Sequence, residues 1–552
     1  MTLTAPLLEV QNLAVDFTTT DGVVHAVEGV DLQISPGETV AIVGESGSGK
    51  STTAMAIIGL LASGGRISAG SIRLDGKEIS RASERELRTI RGRDIGLVPQ
   101  DPMSNLNPVA KIGTQVAETL IAHGLANRSN VGAQVVEALQ AAGIPEAERR
   151  AKQYPHELSG GLRQRALIAI GLACKPRLLI ADEPTSALDV TVQQTILDQI
   201  GEMTRELGTA VLLITHDLGL AAERAERVIV MHRGKVVEQG PARQILEAPQ
   251  HPYTQALVAA APSVAAARLQ PEVFHVADRD PDATEPRATK RDTIVEIENL
   301  TKVYPVRGRG EDFVAVKDVS LSIPRGETVA IVGESGSGKT TTARMLLKII
   351  EPTAGLIRYD GIDISKMNRH EVRNFRQRVQ PIFQDPYASL NPMFTIERLI
   401  SEPLDFYKRG DSGQRRRRVR ELLDDVALPQ SMLRRYPSEL SGGQRQRVAI
   451  ARALALSPDL VVCDEPVSAL DVLVQDQILT LLRDLQTEYG LSYLFISHDL
   501  AVVRLISDYV CVMKDGALVE AATSEEIFTN PRDSYTRRLL ASIPGNELGI
   551  AS

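Results

Sequence analysis

Gly44-Glu-Ser-Gly-Ser-Gly49-Lys50-Ser51 sets two glycines, a lysine and a hydroxyl residue at the spacing G-x-x-x-x-G-K-[ST]. The chemistry this suggests is phosphate binding. Glycines let backbone N–H groups curl around phosphate oxygens without Cβ clashes. A helix starting at the lysine would add the partial positive charge of its N-terminus. In this reading Gly44, Ser46, Gly47, Gly49, Lys50, Ser51 and Thr52 form the loop. Lys50 would reach the β- and γ-phosphates of a nucleoside triphosphate, and the Ser51 hydroxyl would bind Mg2+. GETVAIVGESGSGK occurs at 37–50 and again, letter for letter, at 326–339. Gly333, Ser335, Gly336, Gly338, Lys339, Thr340 and Thr341 therefore offer a second loop. A glycine-rich turn without a ligand is the plain alternative. Two copies in register, each between a strand-like and a helix-like stretch, argue against it.

Two further apolar runs, LLIADE at 178–183 and LVVCDE at 460–465, end in paired acids. Asp182 and Asp464 would hold Mg2+ through its water shell. Glu183 and Glu465 would orient the attacking water and accept its proton. Taken alone, such acids could equally cap the next element. His216 and His498, in ITHDL and ISHDL, also end apolar runs, and could simply pair with the adjacent Asp217 and Asp499.

These side chains need rigid supports. TVAIVG, RLLIADEP and AVLLITHD read as short buried strands. Continuous apolar runs fit a parallel sheet covered on both faces. Residues 101–158 and 385–440 are polar and helical in pattern (VVEALQAAGI, RVRELLDDVAL) and read as an inserted helical subdomain in each half. The repeat extends to LEVQNLAVDF and VEIENLTKVY, and to YPHELSGG and YPSELSGG, so one domain is duplicated. The expected domains are 7–262 and 294–544. Residues 263–293, rich in proline, aspartate and arginine, read as a tether, and 545–552 as a tail.

Composition narrows the classes. The chain of 552 residues is 43% hydrophobic and 24% charged, which is ordinary globular usage. Its net charge of −8 argues against broad non-specific nucleic-acid binding. The run Arg415 to Arg418 reads as a solvated helix face. Cys174, Cys463 and Cys511 are too far apart for a CxxC metal signature, and no disulfide framework is implied. Cys174 and Cys463 read as small buried hydrophobes, and a reducing cytoplasm fits. MTLTAPLLEV lacks the basic start and apolar core of a signal peptide. No run approaches the roughly 18–20 apolar residues that would span a membrane.

LSGGLRQR at 158–165 and LSGGQRQR at 440–447 resemble the signature motif of ABC ATPases. A serine and two glycines opening a helix make a second anion-binding nest. SALD at 186–189 and 468–471 matches that family's D-loop, Gln100 and Gln384 its Q-loop glutamine, and His216 and His498 its switch histidine. The resemblance covers almost the whole chain, with six motifs in order. It implies an α/β fold of two tandem P-loop NTPase domains of ABC type. Each would have a mainly parallel core sheet, an antiparallel β subdomain and an inserted helical subdomain. It also implies Mg2+-dependent hydrolysis of ATP to ADP and phosphate at two head-to-tail sites formed by pairing of the two domains. One site would join Lys50, Ser51, Gln100, Asp182, Glu183 and His216 to Ser441, Gly442, Gly443 and Gln444. The other would join Lys339, Thr340, Gln384, Asp464, Glu465 and His498 to Ser159, Gly160 and Gly161. By resemblance Gln100 and Gln384 complete the Mg2+ ligands Ser51, Asp182, Thr340 and Asp464. Phe17 and Tyr304 take the adenine-stacking position. Leu162 stands where the second copy has Gln444, and any functional asymmetry is expected there.

Among ABC classes, the DNA-repair type would carry zinc-binding cysteine clusters, which are absent. A soluble tandem ABC ATPase acting on ribosomes is the alternative, although its long charged helical linker has no counterpart here. DPMSNLNP and DPYASLNP, after the two glutamines, resemble the oligopeptide, dipeptide and nickel importer group. So do EAPQHPYTQALVAAAP at 247–262 and TNPRDSYTRRLLASIP at 529–544. The resemblance implies a fused double ATPase subunit at the cytoplasmic face of the cell (inner) membrane. It would be peripheral, without a nucleic-acid partner. It would serve two transmembrane permease subunits and an extracytoplasmic substrate-binding protein. Di- and oligopeptides are the expected cargo, with glutathione-like and nickel cargoes open. Many relatives bind an iron–sulfur centre through cysteines after the final proline; with no cysteine beyond Cys511, no such cluster is expected.

Overall fold

The computed structural model describes residues 5–19, 22–127, 129–185, 188–261, 292–305, 312–468 and 470–543. Nearly all of the expected tether, the tail, and Ser186, Ala187 and Ala469 of the SALD segments lie outside the described residues. The described chain divides into two compact units, one ending at 261 and the other beginning at 292.

The first unit contains ten strands: β1 (Leu8–Thr19), β2 (Gly22–Ile34), β3 (Thr39–Val43), β4 (Gly65–Leu74), β5 (Lys77–Glu78), β6 (Ile95–Val98), β7 (Leu178–Asp182), β8 (Ala210–Thr215), β9 (Arg227–His232) and β10 (Lys235–Pro241). They form two sheets. An antiparallel one runs β2-β1-β4-β5, and a six-stranded one runs β10-β9-β3-β8-β7-β6. In the larger sheet every pairing is parallel except β10 with β9. The apolar runs explain this choice. All residues of β7 and β8 are buried, as strands covered on both faces must be.

The second unit repeats the plan with β11 (Thr293–Tyr304), β12 (Phe313–Pro324), β13 (Thr328–Val332), β14 (Ala354–Tyr359), β15 (Ile362–Asp363), β16 (Val379–Ile382), β17 (Leu460–Asp464), β18 (Ser492–Ser497), β19 (Tyr509–Lys514) and β20 (Ala517–Thr523). Its sheets run β12-β11-β14-β15 and β16-β17-β18-β13-β19-β20.

Between β6 and β7 the first unit inserts helices Ile112–Ala122 and Val131–Ala141. Their apolar stripes (Ile112, Val116, Leu120, Val135, Leu139) pack with Ala166 and Leu167 of the helix Gly160–Leu172. The inserted layer therefore grips the signature helix. In the second unit Ile396–Phe406, Ser412–Asp425 and Gly442–Leu454 do the same.

The arginine run departs from the expected solvated face. On the helix Ser412–Asp425, Arg416 and Arg417 are exposed, whereas Arg415 pairs with Asp405 and Arg418 lies over the Tyr489 ring. One turn of helix carries 3.6 residues, so four consecutive residues cannot share one face. All three cysteines are buried. Among the described residues no helix is long and apolar enough to cross a membrane.

Candidate functional site

Each phosphate loop joins a central strand to a helix, β3 to Lys50–Ile57 and β13 to Lys339–Leu346. The backbone dictates its glycines. A Cβ on Gly44 would stand 2.2 Å from the Met231 carbonyl oxygen, and one on Gly333 would stand 2.1 Å from that of Met513. Gly49 and Gly338, at φ +99°, cap the helices without any side-chain hydrogen bond. By contrast Ser159, Asp189 and Asp217 each cap their own helix with a side-chain oxygen. The N-cap residues of the two loop helices thus offer no side-chain oxygen to the first turn, unlike the capping residues elsewhere. That is the arrangement an anionic ligand completes.

Lys50 is buried, and its Nζ donates to the Gly44 and Glu45 carbonyls at 2.6 and 2.9 Å. Lys339 Nζ donates to the Gly333 and Glu334 carbonyls, both at 2.8 Å. Ser46, Gly47 and Thr52 lie in the first loop and its helix start, and Ser335, Gly336 and Thr341 in the second. The loop is also held from behind, because Gly234 N–H donates to the Ser48 carbonyl at 3.0 Å.

The acids arrive at the tips of β7 and β17. Ser51 Oγ donates to Asp182 at 3.0 Å, and Thr340 Oγ1 donates to Asp464 at the same distance. Burial pushes the Asp182 carboxyl above its ordinary value. The Glu183 charge adds to this, while the Ser51 hydrogen bond and the Lys50 charge oppose it. Asp464 is raised in the same way, first by burial. A buried carboxylate whose charge is poorly compensated beside a hydroxyl is a fitting half-shell for a hard cation.

Glu183 and Glu465 leave the strands at φ 45° and 49°, a left-handed conformation costing about 1–3 kcal/mol for a residue other than glycine. Their N–H groups donate to Ile214 and Ile496 of the neighbouring strand at 2.9 and 3.0 Å, which holds the turn. The turn aims each carboxylate at two partners. Gln100 Nε2 donates to Glu183 at 2.9 Å, and His216 Nδ1 lies 3.4 Å from the other oxygen. In the second unit Gln384 Nε2 donates to Glu465 at 2.8 Å, and His498 Nδ1 is 3.2 Å away. Burial raises Glu183, but the hydrogen bond and charge of His216, with Lys50, outweigh it and leave the carboxyl below its usual range. Glu465 is likewise lowered against its burial by His498 and Lys339. Burial lowers His498, yet Glu465 and Asp499 prevail and raise it.

The histidines therefore face the glutamates. Asp217 and Asp499 are occupied capping the helices Leu218–Arg224 and Leu500–Ile506. The hydrogen-bond partner of Gln100 is Glu183, and the Ser51–Asp182 pair forms separately.

The signature segments differ between the halves. Ser159 and Ser441 each cap their helix. In the second half Gln444 Oε1 also accepts the Ser441 N–H at 3.0 Å, closing a reciprocal capping box. Leu162 cannot accept, and packs on the inserted helices instead. Gln444→Leu is expected to lower the stability of the second unit by about 0.5–1 kcal/mol, read as a shift in its thermal unfolding. A Cβ on Gly161 or Gly443 would press on Val192 or Val474 at 2.9 or 2.4 Å. On Gly160 or Gly442 it would meet only a leucine methyl at 3.5 Å. Packing inside the domain therefore does not demand the first glycine of each pair.

The two aromatics are not equivalent. Phe17 is half-buried against the core, where the lack of a Cβ on Gly65 makes room for its ring. Tyr304 is exposed, with the Lys302 ammonium 5.2 Å over its ring. Tyr253 and Tyr535 were not anticipated as site residues. Their hydroxyls accept the N–H of Glu45 and Glu334, each at 3.1 Å. The only sequence signal was the Tyr-Thr pair that HPYTQAL and DSYTRRL share.

The ABC transporter family profile matches residues 27–186 and 316–468, one in each unit. This chain belongs to the ABC transporter ATP-binding family. It is an ABC-type ATPase with two tandem cassettes. The profile of the oligopeptide/dipeptide transporter C-terminal region matches 237–288 and 519–550. Among similar proteins is the glutathione import ATP-binding protein GsiA of Pectobacterium atrosepticum. It is 45% identical over 559 positions, covering 98% of this chain and 89% of that protein. The proteins of the same name from Salmonella choleraesuis and Escherichia coli O6:H1 are 44% and 43% identical, with the same coverage.

Proposed function

We propose that this ABC ATPase powers import of short peptides of the glutathione type. It would dock on two permease subunits at the cytoplasmic face of the cell membrane and be served by an extracytoplasmic binding protein. One observation carries the energetic part. Both halves hold a lysine, a hydroxyl–aspartate pair and a glutamate bracketed by glutamine and histidine, all within hydrogen-bonding or ion-pair reach. Both sets are complete, so we assign hydrolysis to both. The names of the relatives support import and the cargo class.

Ser51 with Asp182, and Thr340 with Asp464, would hold Mg2+, with Gln100 and Gln384 nearby. The ion when bound neutralises phosphate charge. Lys50 and Lys339 would exchange loop carbonyls for phosphate oxygens. Glu183 and Glu465 would take the proton of the attacking water, with His216 and His498 holding the carboxylates in place. Phe17 and Tyr304 would stack on adenine. Each phosphate loop would be completed by the signature of the other half: Ser441, Gly442, Gly443 and Gln444 for the first, Ser159, Gly160 and Gly161 for the second. Gly160 and Gly442 support this, because their own domains leave room for a Cβ. Gly160→Ala and Gly442→Ala should therefore leave thermal unfolding nearly unchanged while lowering turnover by about tenfold or more, as expected for losing a close phosphate contact. Unchanged turnover would sink the composite arrangement.

The permease reading is supported by apolar side chains after the two glutamines. Val109 and Met393 are 82% and 79% exposed, and Met103 and Tyr387 are exposed beside Arg163 and Arg445 of the signature helices. Scattered exposed apolar residues are ordinary, but a set repeated in both halves at the same loop suits a partner surface. Copurification with two membrane permeases and a glutathione-binding protein, with ATP-dependent uptake in proteoliposomes, tests the cargo. The ribosome-acting alternative gains no support, since the transporter C-terminal profile matches both halves.

A further inference from the structure

The segment after the last strand of each half reaches back to the phosphate loop. In the first unit Glu238 on β10 anchors it, accepting the Gln250 and His251 N–H groups at 2.8 and 3.0 Å. His251 Nδ1 then accepts the Tyr253 N–H at 3.2 Å and starts the helix Pro252–Ala260. From this anchored turn Tyr253 meets the N–H of Glu45 at 3.1 Å. The second unit repeats each step. Glu520 on β20 accepts the Arg532 and Asp533 N–H groups at 2.7 and 3.1 Å, and Asp533 accepts the Tyr535 N–H at 2.7 Å. Tyr535 then accepts the Glu334 N–H at 3.1 Å.

The bond persists although its surroundings have changed. HPYTQALVAA and DSYTRRLLAS agree only at Tyr-Thr, one leucine and one alanine. The His232 ring lies 4.0 Å from the Tyr253 ring, whereas the Lys514 ammonium sits 5.2 Å from the Tyr535 ring. Beside the glutamate anchor and the capped turn, both halves keep the hydroxyl and its N–H.

Glu45 follows the glycine that the Met231 carbonyl confines, and its own carbonyl receives the Lys50 ammonium. Glu334 stands in the same relation to Met513 and Lys339. A lysine that turns to phosphate must release that carbonyl. The tyrosine bond does not depend on the lysine and would keep the loop entry in shape.

We propose that Tyr253 and Tyr535 are positioning residues for ATP. Each hydroxyl fixes the entry of its phosphate loop, so the C-terminal segment of each half takes part in nucleotide affinity. This rests on the ATPase assignment of the same loops. The test is Tyr253→Phe, Tyr535→Phe and the double variant in the full chain, which remove the hydroxyl and keep the ring. Three quantities are read: binding of a fluorescent ATP analogue, KM and kcat for ATP, and thermal unfolding without nucleotide.

Loss of one hydrogen bond predicts nucleotide affinity about three- to tenfold weaker per site. KM should rise by a similar factor and kcat should change by less. Unfolding midpoints that fall while affinity and KM stay fixed would make the tyrosines packing pieces only and overturn the proposal. Unchanged affinity with unchanged unfolding would overturn it as well. A parent chain that binds the analogue but does not hydrolyse ATP would refute the ATPase assignment alone, and the binding arm would still decide the tyrosines.

Discussion

Replacing Glu183 and Glu465 together by glutamine is expected to cut ATP turnover by about two to four orders of magnitude while ATP still binds. That factor corresponds to about 3–5 kcal/mol of barrier. Glutamine keeps the shape of the side chain, so the left-handed turn at φ 45° and 49° is unaltered and the loss is chemical rather than conformational. Its amide oxygen can still accept from Gln100 or Gln384. It cannot take a proton from water, and it removes the charge facing His216 or His498. The carboxyls lie below their usual range, so they are ionised and able to act as bases near neutral pH. Each single variant should also lose half of its activity or more, because each half carries its own complete set. Steady-state hydrolysis and equilibrium ATP binding on the same preparations measure this. Full turnover in either single variant would refute the assignment of hydrolysis to both halves.

Gly44→Ala and Gly333→Ala are expected to have the next largest effect, for a different reason. The added methyl would sit 2.2 or 2.1 Å from a main-chain carbonyl oxygen, far inside van der Waals contact. The Met231 and Met513 carbonyls belong to strand ends paired in the central sheets, so they cannot swing aside as a side chain would. The loop must shift instead, carrying Lys50 or Lys339 with it. A cost of about 2–4 kcal/mol in stability is expected, with loss of nucleotide binding in that half. Denaturant unfolding followed by ATP titration reads both. A variant as stable as its parent, with ATP affinity unchanged, would show that the loop can relax without consequence.

Much of this was legible in the sequence because it is local or periodic. The strands β3, β7 and β8 are uninterrupted apolar runs, and the loop spacing is contiguous. The acids fall at strand ends by position alone. The orientation of His216 was not legible. It depends on Asp217 being spent on a helix cap, which becomes evident only once that helix is in place. The split behaviour of the arginine run needed the partners Asp405 and Tyr489. The Tyr253 contact was hidden for the same reason, since it joins residues 208 positions apart with no pattern between them. The difference between Phe17 and Tyr304 likewise arises from what packs beside each ring.

The first and last glycines of each loop, Gly44 and Gly49 and then Gly333 and Gly338, face main-chain atoms, the Met231 and Met513 carbonyls and those of Ala26 and Ala315. After a duplication, most contacts can drift, because a change on one side is compensated by a change on the other. Val192 and Val474 beside the signature glycines are open to that kind of adjustment. A carbonyl oxygen is present whatever residue carries it, so no second mutation can make room. The loop is thus evolutionarily solitary. Two descendants of one ancestor can diverge at His232 and Lys514, at Leu162 and Gln444, and along their C-terminal helices, and still spell GESGSGK identically.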